Sequence, residues 1–178
     1  MRAALELFTT QGYHGSTTPV IAERAGIAEG TIYRHFPGKQ QLLNEVYRAA
    51  VSAFARLMRE APHEPCPERL ARVATAWRDL AAREPALVRL VFVARFRGLL
   101  DQKSRDAWTE LRRELETIIA TGKGTGHVRP GPVELWADIW LQLVTLMLER
   151  VAAKDWTPEQ PAVQQVVESA WIAMRAGG

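Results

Sequence analysis

Residues 29–39 hold a concentration of side chains that can bind nucleic acid. The side chains concerned are Glu29, Thr31, Tyr33, Arg34, His35 and Lys39. Guanidinium and ammonium groups bind phosphates and guanine, hydroxyl and imidazole groups bind phosphates, and a carboxylate accepts from the amine of cytosine. The chemistry that these residues offer is therefore recognition of duplex DNA, provided that one helix presents them together.

Helical spacing divides residues 29–36 into two faces. Ile32 and Phe36 lie four positions apart and share the inward face. At 100° per residue, Gly30, Thr31 and Arg34 project outward, and the side chains of Tyr33 and His35 flank them. Gly30 removes bulk where the helix must approach a groove. The sequence predicts a recognition helix, although an ordinary surface helix can carry a similar set of residues.

The preceding residues predict the turn that would position this helix. Gly26 can adopt positive φ without a steric penalty, and Ala22 is small enough for the next helix to cross it. Ile21, Ile27 and Ile32 are expected to fill the space between the helices. This arrangement predicts a helix-turn-helix unit.

Capping residues predict where the neighbouring helices begin. Pro19 suits a first helical position, so Thr18 is the expected N-cap of the first helix of the unit. Lys39 is expected to begin the helix that follows Pro37. Its ammonium and the nearby free N–H groups would form a phosphate anchor.

Residues 3–47, especially AALELF and GYHGSTTPVIAERAGIAEGTIYRHFPGKQQLL, resemble the DNA-binding domain of the TetR (tetracycline repressor) family. The resemblance covers about a quarter of the chain. It implies a homodimeric transcriptional regulator, usually a repressor, whose C-terminal domain dimerises through its last two helices and binds a small molecule. Seven positions match those that face or contact operator DNA in the family: Thr18, Gly30, Thr31, Tyr33, Arg34, His35 and Lys39. Glu29 joins them as a candidate cytosine contact.

Helical periodicity runs through the rest of the chain, and no alternating strand pattern occurs. The sequence predicts an all-α fold of about nine helices, with a DNA-binding domain at residues 1–45 and a ligand-binding and dimerisation domain at residues 46–178. A long helix after Pro37 bridges both domains and breaks at Pro62–Pro67. The remaining expectations are a buried helix at Ala86–Phe96, a flexible connection at Gly122–Pro132, and two final helices at Val133–Ala153 and Pro158–Arg175.

All six tryptophans follow residue 76, which suggests an aromatic-lined interior. The predicted ligand pocket is formed by Trp77, Phe92, Phe96, Trp108 and Trp140, and the alternative is that these side chains are simply core. Arg89 and Arg95 interrupt an apolar helix. They either pair with Glu84 or an anionic ligand, or reach a solvent edge.

The last two helices carry broad apolar stripes. In a monomer these stripes would pack onto the core, whereas the family resemblance implies a seam of four helices between two subunits. The predicted interface residues are Leu135, Ile139, Leu143, Val163, Val167, Trp171 and Met174.

Other chemistries find little support. His63 and Cys66 lie close in sequence but lack a second ligand pair, so no metal site is predicted. Gly122, Gly124 and Gly126 follow a helix and lack the Gly-Lys-Ser/Thr ending of a phosphate loop. No Ser–His–Asp pattern is recognisable. The sequence therefore predicts neither an enzyme nor a cofactor.

The composition and charge of the chain limit the classes of protein to which it can belong. Hydrophobic residues make up 47% and charged residues 24% of the 178 residues, and the net charge is +3. No apolar run approaches the roughly 18 residues that cross a bilayer, and the single cysteine suits a reducing compartment. A bacterial cytoplasmic protein associated with the nucleoid, and not with the membrane, is expected.

The leading hypothesis is a ligand-responsive transcriptional repressor. It binds a palindromic operator as a homodimer and is released by a small, largely apolar effector. One alternative is a DNA-binding adaptor controlled by a protein partner, for which the interior would be filled. Another is an all-α ligand carrier or enzyme with a vestigial helix-turn-helix.

Overall fold

The computed structural model describes residues 1–60, 64–94 and 96–177. Pro62, His63 and Arg95, which figured in the predictions above, lie outside the described residues. Within the described ranges the chain forms ten α-helices, and its only β-type pairing is an isolated bridge between Val128 and Arg175. The all-α prediction is confirmed. The helix beyond the nine expected is the four-residue Gly12–Gly15.

Four short helices and the start of a long one form the N-terminal unit. In chain order they are α1 (Arg2–Thr10), α2 (Gly12–Gly15), α3 (Thr18–Ala25), α4 (Glu29–His35) and α5 (Lys39–Arg59). Leu5 and Phe8 lie on the buried face of α1, which packs against α3 and α5.

Gly26 makes the turn between α3 and α4. It adopts the left-handed conformation at φ 67° and ψ 32°, which costs glycine little because it has no Cβ. The Ile27 N–H donates to the Ala22 carbonyl at 3.1 Å and closes the turn. Ile21, Ala22 and Ile32 are all buried where the helices cross. The predicted glycine turn and buried contact are confirmed.

Two details of this unit differ from the prediction. The N-cap of α3 is Thr17, whose backbone is extended at φ −95° and ψ 157°, and Thr18 is already helical. Pro19 is tolerated one position later because the first-turn N–H groups have no acceptor within the helix. Ile27 was expected to pack between the helices, but its side chain is 43% exposed. The left-handed turn at Gly26 directs the chain away from the helix crossing before Ile27 is reached.

The C-terminal part is a bundle of longer helices. These are α6 (Cys66–Arg83), α7 (Pro85–Val88), α8 (Gln102–Gly124), α9 (Val133–Ala152) and α10 (Pro161–Ile172). Helix α9 packs against α6, α8 and α10. None of the helices in the described ranges is both long and apolar enough to cross a membrane.

The predicted helix at Ala86–Phe96 is interrupted. Helix α7 continues into a π-helical turn at Arg89–Val93, in which the Ala94 N–H donates to the Arg89 carbonyl at 2.7 Å. The backbone at Ala94 is extended, and a 3₁₀ turn follows at Arg97–Leu99. Val88 and Leu90 are buried as predicted, but Val93 is 49% exposed, so the predicted buried helix is wrong at its C-terminal end.

The predicted flexible connection at Gly122–Pro132 is also wrong at its start. Gly122 lies inside α8 and is buried, and a Cβ there would stand 2.5 Å from the Cys66 sulfur. The rest of the segment is fastened to the C-terminus, since the Arg129 N–H donates to the Met174 carbonyl and the Ala176 N–H to the His127 carbonyl.

A polar network joins α5 to the start of α8. The Asp101 side chain caps α8 by accepting from the Ser104 N–H at 2.8 Å, and it also accepts from Arg48 at 3.0 Å. Buried Asn44 accepts from the Asp101 N–H at 2.8 Å and donates to the Leu99 carbonyl at 3.0 Å. Helix α5 passes the predicted domain boundary at residues 45–46 without a break.

Candidate nucleic-acid interface and ligand cavity

Helix α4 separates an exposed polar face from a buried apolar one. Tyr33 is 50% exposed, and Arg34 and His35 are also exposed, while Ile32 is only 5% exposed. Gly30 faces open space, since a Cβ there would meet no atom within 4 Å. Side chains from this face can therefore enter a groove without a steric barrier from the rest of the chain.

Thr18, Glu29 and Tyr33 are joined by hydrogen bonds beneath this face. The Thr18 hydroxyl donates to Glu29 Oε1 at 3.0 Å, so the Tyr33 hydroxyl, 2.8 Å away, is the donor to Thr18. Thr18 is 7% exposed and lies under the polar face rather than on it. Its hydroxyl holds a tyrosine and a carboxylate of the recognition helix in place. This link between helices was missed in the sequence.

Thr31 and Glu29 are half-buried at the edge of the face. The Glu29 carboxylate, whose charge would oppose phosphate, is held in place by the hydrogen bond that it accepts from Thr18. The predicted DNA contacts of all these residues remain predictions.

Lys39 begins α5, as predicted, and its ammonium is held in place by Tyr13. The Nζ atom donates to the Tyr13 carbonyl at 2.7 Å and stands 4.2 Å from the centre of the Tyr13 ring. The Gly38 N-cap offers no side chain to the first N–H groups of α5. A fixed cation beside free N–H groups is an arrangement that binds phosphate. Burial raises the pKa of the Tyr13 phenol.

A cavity of about 890 Å³ lies among α5, the π-helical turn, α8 and α9. Its volume falls within the range usual for small-molecule sites. Three of the five predicted pocket residues, Phe92, Phe96 and Trp108, line it. The full lining is Tyr47, Val91, Phe92, Val93, Ala94, Phe96, Leu100, Arg105, Trp108, Thr109, Leu141, Gln142, Thr145 and Glu149.

Trp77 and Trp140, the other two predicted lining residues, belong to the core instead. They are 0% and 1% exposed, with ring centres 5.8 Å apart. Trp77 donates through Nε1 to the Phe54 carbonyl at 3.0 Å, which satisfies its polar atom inside the core. The Trp77 and Phe92 rings lie 6.0 Å apart, so the tryptophans form a second layer behind the cavity wall.

The polar wall of the cavity was not predicted. Gln142, Thr145 and Glu149 follow one another on α9 at spacings of three and four residues, and Arg105 and Thr109 lie four residues apart on α8. In sequence these residues look like ordinary solvated helix faces. Only the packing of α8 against α9 shows that they face a common space.

Arg89 lies on the π-helical turn and outside the cavity lining. Its Nε atom is buried without a hydrogen-bond partner among the residues that the structure describes. Within the same ranges it makes no ion pair with Glu84, which was one of the two predicted arrangements.

The predicted interface residues on α9 and α10 separate into two groups. Leu135 is 46% exposed, while Ile139, Leu143, Val167 and Trp171 are half-buried. Val163 and Met174 are 2% and 0% exposed, so their inclusion is wrong because both pack inside the protomer. Leu146, which belongs to the same predicted stripe on α9, is 41% exposed, and Ile172 on α10, which the prediction passed over, is 53% exposed.

Cys66 is buried, and burial raises the pKa of its thiol to about 11. A thiol with this pKa stays protonated near neutral pH, which makes it a weak nucleophile and a weak metal ligand. His63, which lies close to Cys66 in sequence, is outside the described residues.

The first 46 residues match the sequence model of a family described as "Bacterial regulatory proteins, tetR family". The "Fatty acid metabolism regulator protein" of Bacillus subtilis (strain 168) is 29% identical over 133 residues, which make up 72% of this chain and 69% of that protein.

Solved structures share the fold over nearly the whole length. A TetR family transcription regulator from Marinobacter aquaeolei VT8 has a TM-score of 0.85 at 17% identity, covering 99% of this chain and 93% of that one. The fatty acid degradation regulator FadR from Bacillus halodurans has a TM-score of 0.80 at 20% identity, covering 96% and 91% of the two chains.

Proposed function

The chain belongs to the TetR family of bacterial DNA-binding transcriptional regulators, which are not enzymes, and on this premise we propose a specific mode of regulation. The protein is a homodimeric repressor. It binds a palindromic operator through residues 1–45 and releases it when residues 46–178 bind a small, largely apolar effector.

The observation that carries the DNA-binding part of the proposal is the two-sided character of α4. Arg34 is exposed and makes no ion pair or hydrogen bond in the part of the chain that the structure describes, so its guanidinium is available to a base or phosphate. Tyr33 and His35 flank it. Ile32 and the left-handed Gly26 fix the helix to α3. A rigid helix with an available cation is what base recognition in a major groove requires.

The apolar surface of α9 and α10 supports the homodimer. Leu135, Leu146 and Ile172 are the most exposed large apolar side chains of these helices. Pairing the same two helices from two copies would bury them around a two-fold axis. Two recognition helices related by such an axis read half-sites about 34–36 Å apart, or a multiple of that distance.

The cavity supports control by a small molecule rather than by a protein partner, for which a filled interior was expected. Much of its wall is apolar, including Phe92, Phe96 and Trp108. The π-helical turn contributes to this wall and also packs against α1 of the DNA-binding unit. An effector that favours one arrangement of the turn would therefore change the position of α1 and the spacing of the recognition helices.

The test begins with selection of bound fragments from random DNA, because the operator sequence is not known. Fluorescence anisotropy on the selected fragment then compares the wild type with the double variant Tyr33→Ala/Arg34→Ala. We expect specific binding to be lost while light scattering shows the same dimer. Arg24→Ala is the matched control, since Arg24 lies on α3 rather than α4 and its guanidinium pairs with Glu6 of α1 at 3.0 Å.

Three results would count against the proposal. Retention of wild-type affinity by the double variant would refute the DNA-binding face. A monomer at micromolar concentration would refute the dimer. Binding that does not weaken with increasing salt would refute phosphate contact, since neutralised phosphates release counterions.

A further inference from the structure

We propose that the cavity selects effectors with a cationic head group on an apolar body, and that the Glu149 carboxylate binds the head group. The inference rests on the proposed function, because it takes the cavity as the effector site. It adds the chemical class of the effector and the residue that selects it.

The two walls of the cavity differ in chemistry. The π-helical turn and the residues after it contribute Val91, Phe92, Val93, Ala94 and Phe96, which offer an apolar surface. Helix α9 faces this surface with an amide, a hydroxyl and a carboxylate at successive turns, from Gln142, Thr145 and Glu149. A ligand that fills the space would therefore be apolar along one side and polar toward α9, where Gln142 and Thr145 can donate or accept and only the Glu149 carboxylate requires a donor.

Neither charged side chain among the described lining residues is in an ion pair, but only one of the two lacks hydrogen-bond partners. The Arg105 guanidinium donates to Gln102 Oε1 at 2.9 Å and to the Leu100 carbonyl. Glu149, in contrast, forms neither an ion pair nor a side-chain hydrogen bond within residues 1–60, 64–94 and 96–177, although it lines the cavity. Arg150, which follows Glu149 in sequence, pairs instead with Asp155 at 3.1 Å.

An unpaired carboxylate on a partly apolar wall distinguishes between head groups. A protonated amine can donate to Glu149 in a charge-assisted hydrogen bond while its chain covers Phe92 and Trp108. An alcohol can also donate to the charged carboxylate, but it carries no positive charge and lacks the ion-pair attraction that an ammonium group adds. A carboxylate head group would meet a like charge, whose repulsion grows as water is displaced from the cavity.

The experiment uses three probes that share one chain and differ in head group: decylamine, decan-1-ol and decanoate. At pH 7 the amine is protonated and the acid is ionised. Each probe is added to the full chain below its micelle concentration, and the melting temperature is followed by tryptophan fluorescence. Release of the selected DNA fragment is followed by anisotropy in parallel. The same titrations are repeated with Glu149→Gln and with the control variant Glu159→Gln, whose side chain is exposed on the loop before α10.

We expect decylamine to raise the melting temperature of the wild type by about 5–10 °C at a concentration near 100 times its Kd. Decan-1-ol should do so less, and decanoate least. Glu149→Gln should weaken decylamine binding about tenfold and decan-1-ol binding by much less, because the amine loses an ion pair whereas the alcohol can still donate to the amide oxygen. Glu159→Gln should respond as the wild type does.

The outcomes separate the two proposals. Stabilisation by decanoate that equals or exceeds that of decylamine would overturn the assignment of the head group and place the dominant charge on Arg105, while the cavity would remain an effector site. Equal affinity of Glu149→Gln and wild type for decylamine would overturn the role of Glu149. If none of the three probes stabilised the protein or released DNA, the effector part of the proposed function would fail with it, and the DNA-binding part would stand on the selection experiment.

Discussion

Replacing Thr18 with valine isolates the hydroxyl that joins α3 to α4. The substitution conserves shape at a position that is 7% exposed, and it removes the bonds to Glu29 at 3.0 Å and to Tyr33 at 2.8 Å. A neutral hydrogen bond contributes about 0.5–1.5 kcal/mol and one to a charged group about 1.5–3 kcal/mol. Because Tyr33 and Glu29 both reach water and can rehydrate, we expect a loss of only about 1–2 kcal/mol. The melting temperature should fall by about 2–8 °C.

The effect on DNA binding should be larger than the effect on stability suggests. Without Thr18, the Tyr33 side chain must be ordered at the moment of binding, at a cost of about 0.5–1.5 kcal/mol. The proposed dimer contains two copies of this helix, so the total is about 1–3 kcal/mol, which is about a five- to 150-fold loss of affinity. Fluorescence anisotropy on the selected fragment measures this loss.

Thr10→Val is the matched control, since Thr10 is exposed on α1 and its hydroxyl donates only to the Glu6 carbonyl at 2.8 Å. A double-mutant cycle with Tyr33→Phe tests the connection directly. The two substitutions should show a coupling of at least about 0.5 kcal/mol. If they were additive, or if Thr18→Val bound DNA as tightly as Thr10→Val, the positioning role of Thr18 would be refuted.

Three further substitutions test packing, electrostatics and assembly. Gly122→Ala should lower the free energy of unfolding by about 1–3 kcal/mol in urea denaturation, because its Cβ would stand 2.5 Å from the Cys66 sulfur. Asp101→Ala should cost about 1 kcal/mol at neutral pH by removing the cap of α8. Burial raises the pKa of Asp101, but hydrogen bonds from the α8 N–H and from Arg48 outweigh burial and lower it. The contribution of this carboxylate is therefore present above its ordinary pKa and lost as the pH falls through its lowered value, so wild type and variant should converge in acid. Leu146→Glu should shift the dimer toward monomer in light scattering, since it places a charge on the exposed apolar surface of α9.

Each of these tests has a control or a contrary outcome. Gly124→Ala, where a Cβ meets no atom within 4 Å, should be neutral or slightly stabilising, and an equal loss at both glycines would argue against the sulfur contact. A constant difference between Asp101→Ala and wild type down to pH 2 would contradict the assigned charge interaction. Thr117→Glu on the exposed face of α8 should leave the dimer intact, and a dimer that tolerates Leu146→Glu would move the interface elsewhere.

The DNA-reading unit was the most predictable part of the chain because local chemistry decides its geometry. Gly26 must turn the chain, and Ile32 must be buried where α4 crosses Ala22, so spacing alone places both. The hydrogen bonds of Thr18 were not predictable in the same way. They depend on how far α4 sits from the start of α3, which the pattern of residue types does not determine.

The cavity was less predictable because tertiary packing chooses among equivalent residues. Trp77 and Trp108 are both tryptophans on amphipathic helices, yet the first lies in the core and the second on the cavity wall. The π-helical turn at Arg89–Val93 determines which of its side chains line the cavity, and no pattern in the sequence predicted this turn. Glu149 looked like part of a solvated helix face. On α10, Val163 and Val167 belong to the same apolar stripe, but Val163 is buried within the protomer and only Val167 stays partly accessible.

The placement of the aromatic residues gives the protein a built-in optical reporter. No tryptophan lies in the first 76 residues, so emission at 295 nm excitation is blind to the DNA-reading helices and comes wholly from the C-terminal bundle. Trp77 and Trp140 are buried in the core, whereas Trp108 lines the cavity, so we expect a cavity ligand to change the emission of Trp108 most. Tryptophan emission can therefore report ligand binding in the C-terminal bundle without a label. The anisotropy of a dye on the DNA can report DNA binding in the same sample.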